Sequence, residues 1–211
     1  MTIDSLTVPA TTLPRGSPLA VASWALLIVW LGSSAACFWL METGDWRPFG
    51  RADAALDAID VPGVEEWYRS NSASTQAAGG HPRLTLVHLY NADCRCNRPV
   101  DPQLKRLIEH FQPLGVEFFV VPSHALAASD AAPFNLPALS GHGTLAAAGL
   151  ISSPAALIFD AHGRLIYYGP YSDSAWCGST GTLVEPVLER ALSGLVTVKR
   201  PRASRSCSCG W

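Results

Sequence analysis

"LTLVHLYNADCRCNRPVDPQLKRLIEHF", residues 84–111, is the stretch that decides the fold. It opens on LTLVHLY (84–90), a short apolar run flanked by turn-formers, as a buried strand requires. It closes on PQLKRLIEHF (102–111), where Leu104, Leu107, Ile108 and Phe111 recur at the spacing of one helix face. Between them Cys94 and Cys96 stand one residue apart. Downstream, VEFFVV (116–121) predicts a second buried strand, and LPALSGHGTLAAAGL (136–150) contains a short helix. AALIFD (155–160) and RLIYYGP (164–170) form a hairpin whose turn Gly163 supplies. LVEPVLERALSG (183–194) is a last helix, ended by Gly194. The order β-α-β-(α)-β-β-α makes an α/β sandwich over residues 83–196.

The rest of the 211-residue chain is organised around one apolar segment. No charged residue occurs from Gly16 to Met41, and LAVASWALLIVWLGSSAACFWL (19–40) exceeds the roughly 20 apolar residues that span a bilayer. Residues 18–41 are therefore expected to be a transmembrane signal anchor, behind a cytosolic leader of residues 1–17 that contains Pro9, Pro14 and Arg15. The expected location is a single-pass protein of the inner membrane with its C-terminal domain in the periplasm. Residues 42–82 read as a juxtamembrane segment of short helices broken at Pro62-Gly63, followed by a flexible linker. Residues 197–211 are polar and basic, and are expected to form a mobile tail with a second C-x-C at Cys207 and Cys209. The net charge is −2 and the cations form no stripe, which excludes nucleic acid as a partner class. His88, inside a predicted strand, reads as a hydrogen-bonded core histidine, and the other histidines lack metal-ligand spacing.

The stretch from the first strand to the hairpin resembles the thioredoxin superfamily. Aligned without a gap, Cys94 falls on that family's nucleophilic cysteine, Pro102 on its helix-kinking proline, and Ser153-Pro154 on its cis-proline. The turn DAHGRL (160–165) matches the family's hairpin turn. A narrower family of membrane-anchored thioredoxin-like proteins with a C-x-C motif is the expected membership. The resemblance implies thiol–disulfide exchange with protein thiol or disulfide substrates and no cofactor. It implies Cys94 as the attacking cysteine and Pro154 as the residue that presents its neighbouring backbone to an extended substrate segment; the catalytic set expected here is completed by Cys96 and Cys177, from their place in the chain and the topology, as candidate resolving thiols.

This sequence departs from the family at Asn97, which stands where the second cysteine of C-x-x-C belongs. Three pairings remain open. Cys94 and Cys96 bond to each other in a small ring; or Cys177, in a loop the topology returns toward Cys94, resolves Cys94; or Cys207 and Cys209 exchange with Cys94 or Cys96 as a tethered dithiol. A different function uses the same residues: Cys94, Cys96, Cys207 and Cys209 as four thiolates around Zn²⁺ or Cu⁺ in a metal-binding or assembly protein. Activation of Cys94 needs a lowered thiol pKa, for which a helix N-terminus and the nearby Arg95 and Arg98 are candidates; Pro99 and Pro102 suggest that the regular helix starts near Asp101.

Overall fold

The structure is a computed structural model that describes residues 18–44, 46–48, 59–76, 84–123, 133–172, 182–195 and 205–211. It divides into two units, Met1–Thr43 and Gly44–Trp211. The described part of the first is the helix α1 (Pro18–Gly44), whose Val21–Leu40 portion is long and apolar enough to cross a membrane by length and composition, with a mean hydropathy of 1.8. The expected leader, residues 1–17, lies outside the described residues.

In chain order the second unit contains β1 (Trp46–Pro48), α2 (Val61–Gln76), β2 (Leu84–Tyr90), α3 (Asn97–Phe111), β3 (Val116–Pro122), α4 (His142–Ala147), β4 (Ser152–Ser153), β5 (Ala155–Asp160), β6 (Leu165–Gly169), α5 (Glu185–Leu192), β7 (Arg205–Cys207) and β8 (Cys209–Gly210). Four strands make the central sheet in the order β3-β2-β5-β6. β2 runs parallel to β3 through the α3 crossover, and antiparallel to β5, which turns back into β6. This β-α-β unit followed by a β-hairpin and a helix is the thioredoxin-like arrangement, the fold that the strand and helix pattern of residues 83–196 predicts.

Alternation of side chains along β2 splits the core in two. Leu84 and Leu86 face α3 and α5, where they meet Val100, Leu104, Leu107, Phe111, Val187 and Leu188. Val87 and Leu89 face the opposite side, where α2 and α4 supply Val64, Trp67, Tyr68 and Leu145. A strand covered on both faces has no solvated positions to fill with charge, hence the near-continuous apolar run in its sequence.

The second face corrects the expectation for residues 42–82. Pro62 and Gly63 do not break a helix there; they occupy the first turn of α2, where a missing N–H costs nothing. α2 then continues through Asn71 to Gln76, into the segment expected to be linker. Trp67 Nε1 donates to the Ser140 carbonyl at 2.9 Å, the Tyr68 and Thr85 hydroxyls lie 2.6 Å apart, and the Leu165 N–H donates to Glu65 Oε1 at 2.9 Å. Tyr68 also stacks on Phe159 with ring centroids 4.0 Å apart. Gly141, at φ 131°, lies so close beneath the Trp67 indole that a Cβ there would collide with Nε1.

α3 likewise begins earlier than Pro99 and Pro102 suggest, at Asn97. Pro99 falls within the first turn, whose N–H groups have no partner inside the helix, and Pro102 alone stands in the helix interior. At the hairpin Asp160 is not a solvated turn residue. It is buried and accepts from the backbone N–H groups of His162 and Arg164 at 2.9 Å each and from Arg164 Nε at 2.7 Å.

His88 is fully buried, with Nδ1 2.8 Å from the Tyr171 hydroxyl. Desolvation, opposed more weakly by the Ala155 backbone, pushes its pKa down to about 3, so the ring is neutral in the fold. The unfolded chain binds a proton at an ordinary histidine pKa, so stability conferred by neutral His88 is fully present above about pH 6.5 and is lost as the pH falls toward 3. Burial raises the Asp101 and Glu117 carboxyls, which act in the opposite sense at lower pH. The denaturation midpoint of the domain is therefore expected to fall between about pH 6.5 and 5, and a His88→Leu variant to lose that slope, in equilibrium unfolding followed by circular dichroism.

Candidate functional site

Cys94 lies in the turn that joins β2 to α3, and this turn is tied down locally. The Asn91 carbonyl accepts from the Cys94 N–H at 3.0 Å and from Asn97 Nδ2 at 2.7 Å, while Asn91 Oδ1 accepts from the Asp93 N–H at 3.1 Å. Asn97, which replaces the family's second cysteine, is thus a structural clamp on the turn. Cys96 is the N-cap residue of α3 and makes no side-chain capping bond. Its position puts both cysteines at a helix N-terminus, where the backbone dipole favours a thiolate. The side chains of Asp93, Arg95 and Arg98 all point to solvent.

On the other side of Cys94 is the end of β4. The Ser153–Pro154 peptide bond is cis, and Cys94 Sγ lies 3.4 Å from the Ser153 carbonyl oxygen. A reduced thiol could donate to that oxygen; a disulfide sulfur only touches it. Ser153 is itself fixed by its hydroxyl, which donates to the Leu89 carbonyl at 3.2 Å.

The C-terminal segment completes the site. β7 pairs antiparallel with β1, placing Cys207 opposite Trp46. β8 pairs antiparallel with β4, placing Cys209 opposite Ser153 and Gly210 opposite Ser152. The Trp211 N–H continues this ladder by donating to the Ile151 carbonyl at 3.0 Å, and Asn91 Nδ2 donates to the Gly210 carbonyl at 2.9 Å. In an extended chain residues two apart share a face, so the two tail sulfurs are delivered side by side. Cys94 is bonded to Cys209 and Cys96 to Cys207, with Cα–Cα distances of 5.8 and 5.5 Å, inside the usual disulfide range.

Residues 205–211, expected to be mobile, are thus paired and crosslinked. Each disulfide closes a loop of more than 100 residues (sequence separations 115 and 111), and the first to form removes on the order of 4–5 kcal/mol of unfolded-chain entropy. The second closes nearly the same loop and adds much less. A Cys94–Cys96 ring is not formed. Among the open pairings, the geometry brings together Cys94, Cys96, Cys207 and Cys209, with Pro154 directly after the Ser153 carbonyl that contacts Cys94 Sγ. Cys177 lies outside the described residues.

Asn91 and Trp211 also belong to the site and no sequence motif singles them out, whereas Ser153 was marked only as the residue before Pro154. The matching C-x-C spacing was the one available signal for the tail; the β1 pairing and the Trp211 contact had none. Peptide mapping of the non-reduced protein is expected to recover Cys94–Cys209 and Cys96–Cys207 crosslinks, and Cys209→Ser to leave Cys96–Cys207 intact. A Cys94–Cys96 or Cys207–Cys209 crosslink as the main species would contradict the arrangement.

No curated protein matches the chain. Among solved structures it is similar to an uncharacterized conserved protein from Geobacillus kaustophilus, at 22% identity and a TM-score of 0.48, over 61% of this chain and 76% of that one. It is similar to a hypothetical protein from Sinorhizobium meliloti at 16% identity and a TM-score of 0.49, over 62% and 79%. It is also similar to a putative thiol:disulfide interchange protein DsbE from Chlorobium tepidum at 12% identity and a TM-score of 0.39, over 56% and 82%. A family model described as "Domain of unknown function (DUF6436)" matches residues 65–211, from within α2 to the last residue of the disulfide-bonded tail, and the chain belongs to that family.

Proposed function

We propose that the protein is a membrane-anchored, extracytoplasmic thiol–disulfide exchange protein whose attacking group is Cys94. The observation that carries this reading is the Cys94–Cys209 bond, made at a helix N-terminus and against the Ser153 carbonyl. Cys94 there already holds a sulfur carried by an extended strand, the geometry that a mixed disulfide with a protein substrate requires.

In the reduced protein the Cys94 thiolate attacks one sulfur of a substrate disulfide. The substrate S–S bond breaks, a Cys94–substrate bond forms, and the other substrate sulfur leaves as a thiolate. The Cys209 thiolate then attacks Cys94 Sγ, releases the second substrate thiolate and forms Cys94–Cys209. The substrate has gained two electrons and the protein has lost two. The reverse sequence oxidises a substrate dithiol. The Cys94–Cys209 bond supports Cys209 as the resolving thiol in place of Cys96 or Cys177. Two disulfides in one small domain fit an oxidising compartment, and the apolar α1 with Arg15 ahead of it fits an anchor with its N-terminus inside.

A second reading is favoured by the convergence of sulfurs, since Sγ atoms of Cys94, Cys96 and Cys209 all lie within 4.8 Å of one another. With both disulfides reduced, these and Cys207 supply four thiolates, a donor set suited to Zn²⁺ or Cu⁺.

Both readings are testable on the full chain in detergent. A reduced Cys209→Ala variant, offered a disulfide-linked peptide dimer, is expected to accumulate a mixed disulfide that disappears when Cys94→Ala is added. Absence of any Cys94-dependent adduct would sink the exchange reading. Anaerobically reduced protein dialysed against Zn²⁺ or Cu⁺ separately tests the other reading, which predicts one tightly held ion per chain, lost in Cys207→Ser; no retained ion would sink it.

A further inference from the structure

Resting on the exchange reading, we propose that residues 207–211 are a built-in, reducible occupant of the Cys94 site. The seat they fill takes an extended cysteine-bearing segment of another protein with an aromatic residue two positions after the cysteine.

The occupant is defined by contacts on three sides. Its backbone pairs with Ser152 and Ser153 and reaches Ile151 through the Trp211 N–H. Its sulfur at position 209 is bonded to Cys94. Two residues further on, the Trp211 ring packs on the apolar cluster shared by α2, α4 and the sheet, edge-to-face with His142 at 4.6 Å between ring centroids. Residues 209 and 211 share a face of the extended segment, so the sulfur and the indole are read together.

This occupant closes the site. Cys94 is 4% exposed and Cys96 is fully buried, whereas Cys207 and Cys209 are only half-buried. An incoming thiolate therefore meets the tail sulfurs first. A dithiol donor attacks Cys209 Sγ, expelling the Cys94 thiolate and forming a donor–Cys209 disulfide. The donor's second thiolate then attacks its own bonded sulfur and expels the Cys209 thiolate. The donor ends as a disulfide and Cys94–Cys209 as two thiols; a second dithiol opens Cys96–Cys207 in the same way.

Once both bonds are open, little holds the segment. The two-pair β4–β8 ladder and the three-pair β1–β7 ladder, with the Trp211 and Asn91 hydrogen bonds, are below the size at which an isolated strand pair is stable. The seat is also imperfectly satisfied, because Trp211 Nε1 and His142 Nε2 are both buried without a hydrogen-bond partner among the described residues. Such a fit suits an occupant that is exchanged.

The test uses the full chain in detergent. Hydrogen exchange of the Trp211 amide, which donates to the Ile151 carbonyl, is expected to rise at least tenfold on reduction with dithiothreitol; protection that survives reduction overturns the proposal. In a Cys207→Ser/Cys209→Ser background, Cys94 is then offered two peptides, Cys-Gly-Trp and Cys-Gly-Ser, each as a mixed disulfide with thionitrobenzoate. The Cys94 thiolate attacks the peptide sulfur and the coloured thionitrobenzoate anion leaves. The tryptophan peptide is expected to react at least tenfold faster, with the difference abolished by His142→Ala; equal rates with the two peptides overturn the aromatic seat. Release of the tail with no Cys94 adduct from either peptide overturns the exchange reading instead, so the two failures are separable.

Discussion

Strand β2 carries hydrogen-bonded neighbours on both edges and packed side chains on both faces, and the rest of the domain depends on that double burial. β3 and β5 fix its register, α3 and α5 cover one face, and α2 and α4 cover the other. A slip of one residue would exchange Leu84 and Leu86 with Val87 and Leu89 and carry the buried His88 to the wrong cluster. The strand's end is therefore fixed, and the turn from Asn91 to Cys96 inherits that rigidity. A cysteine placed there is positioned by the core as well as by the hydrogen bonds of its own turn.

The turn and the tail are complementary in geometry. Cys94 and Cys96 leave the N-terminus of α3 close together, and Cys207 and Cys209 present their sulfurs on one face of an extended chain. Two small units with equal spacing then bond pairwise. The same equality is why a thioredoxin-like site without the second cysteine of C-x-x-C still has a partner for Cys94. Asn97, where that cysteine would stand, donates to the Asn91 carbonyl and holds the turn instead.

The segment just after α1 takes part as well. β1 begins two residues after Gly44 and pairs with β7, so the chain leaving the apolar helix is hydrogen-bonded to the strand that carries Cys207.

Much of this was legible in the chain. Apolar runs of strand length, the 3.6-residue repeat of α3, Gly163 at the hairpin and Gly194 after α5 express local physics, and local physics determined the β-α-β-(α)-β-β-α order and the position of Cys94 at the end of β2. The apolar length of α1 is likewise a property of the sequence alone. What the sequence did not disclose depends on residues far apart. α2 reads as linker from Asn71 because Asn, Ser and Thr are weak helix signals, and Trp67, Tyr68 and Glu65 docking on the sheet support it as a helix. Residues 205–211 read as a free tail because polarity and proline forecast disorder, and composition carries no information about a strand partner 56 to 58 residues back in the chain or a sulfur 115 residues away. The sequence by itself determined the fold and the candidate nucleophile; tertiary structure decided which sulfur that nucleophile holds, because pairing depends on where the fold brings the two C-x-C units in space.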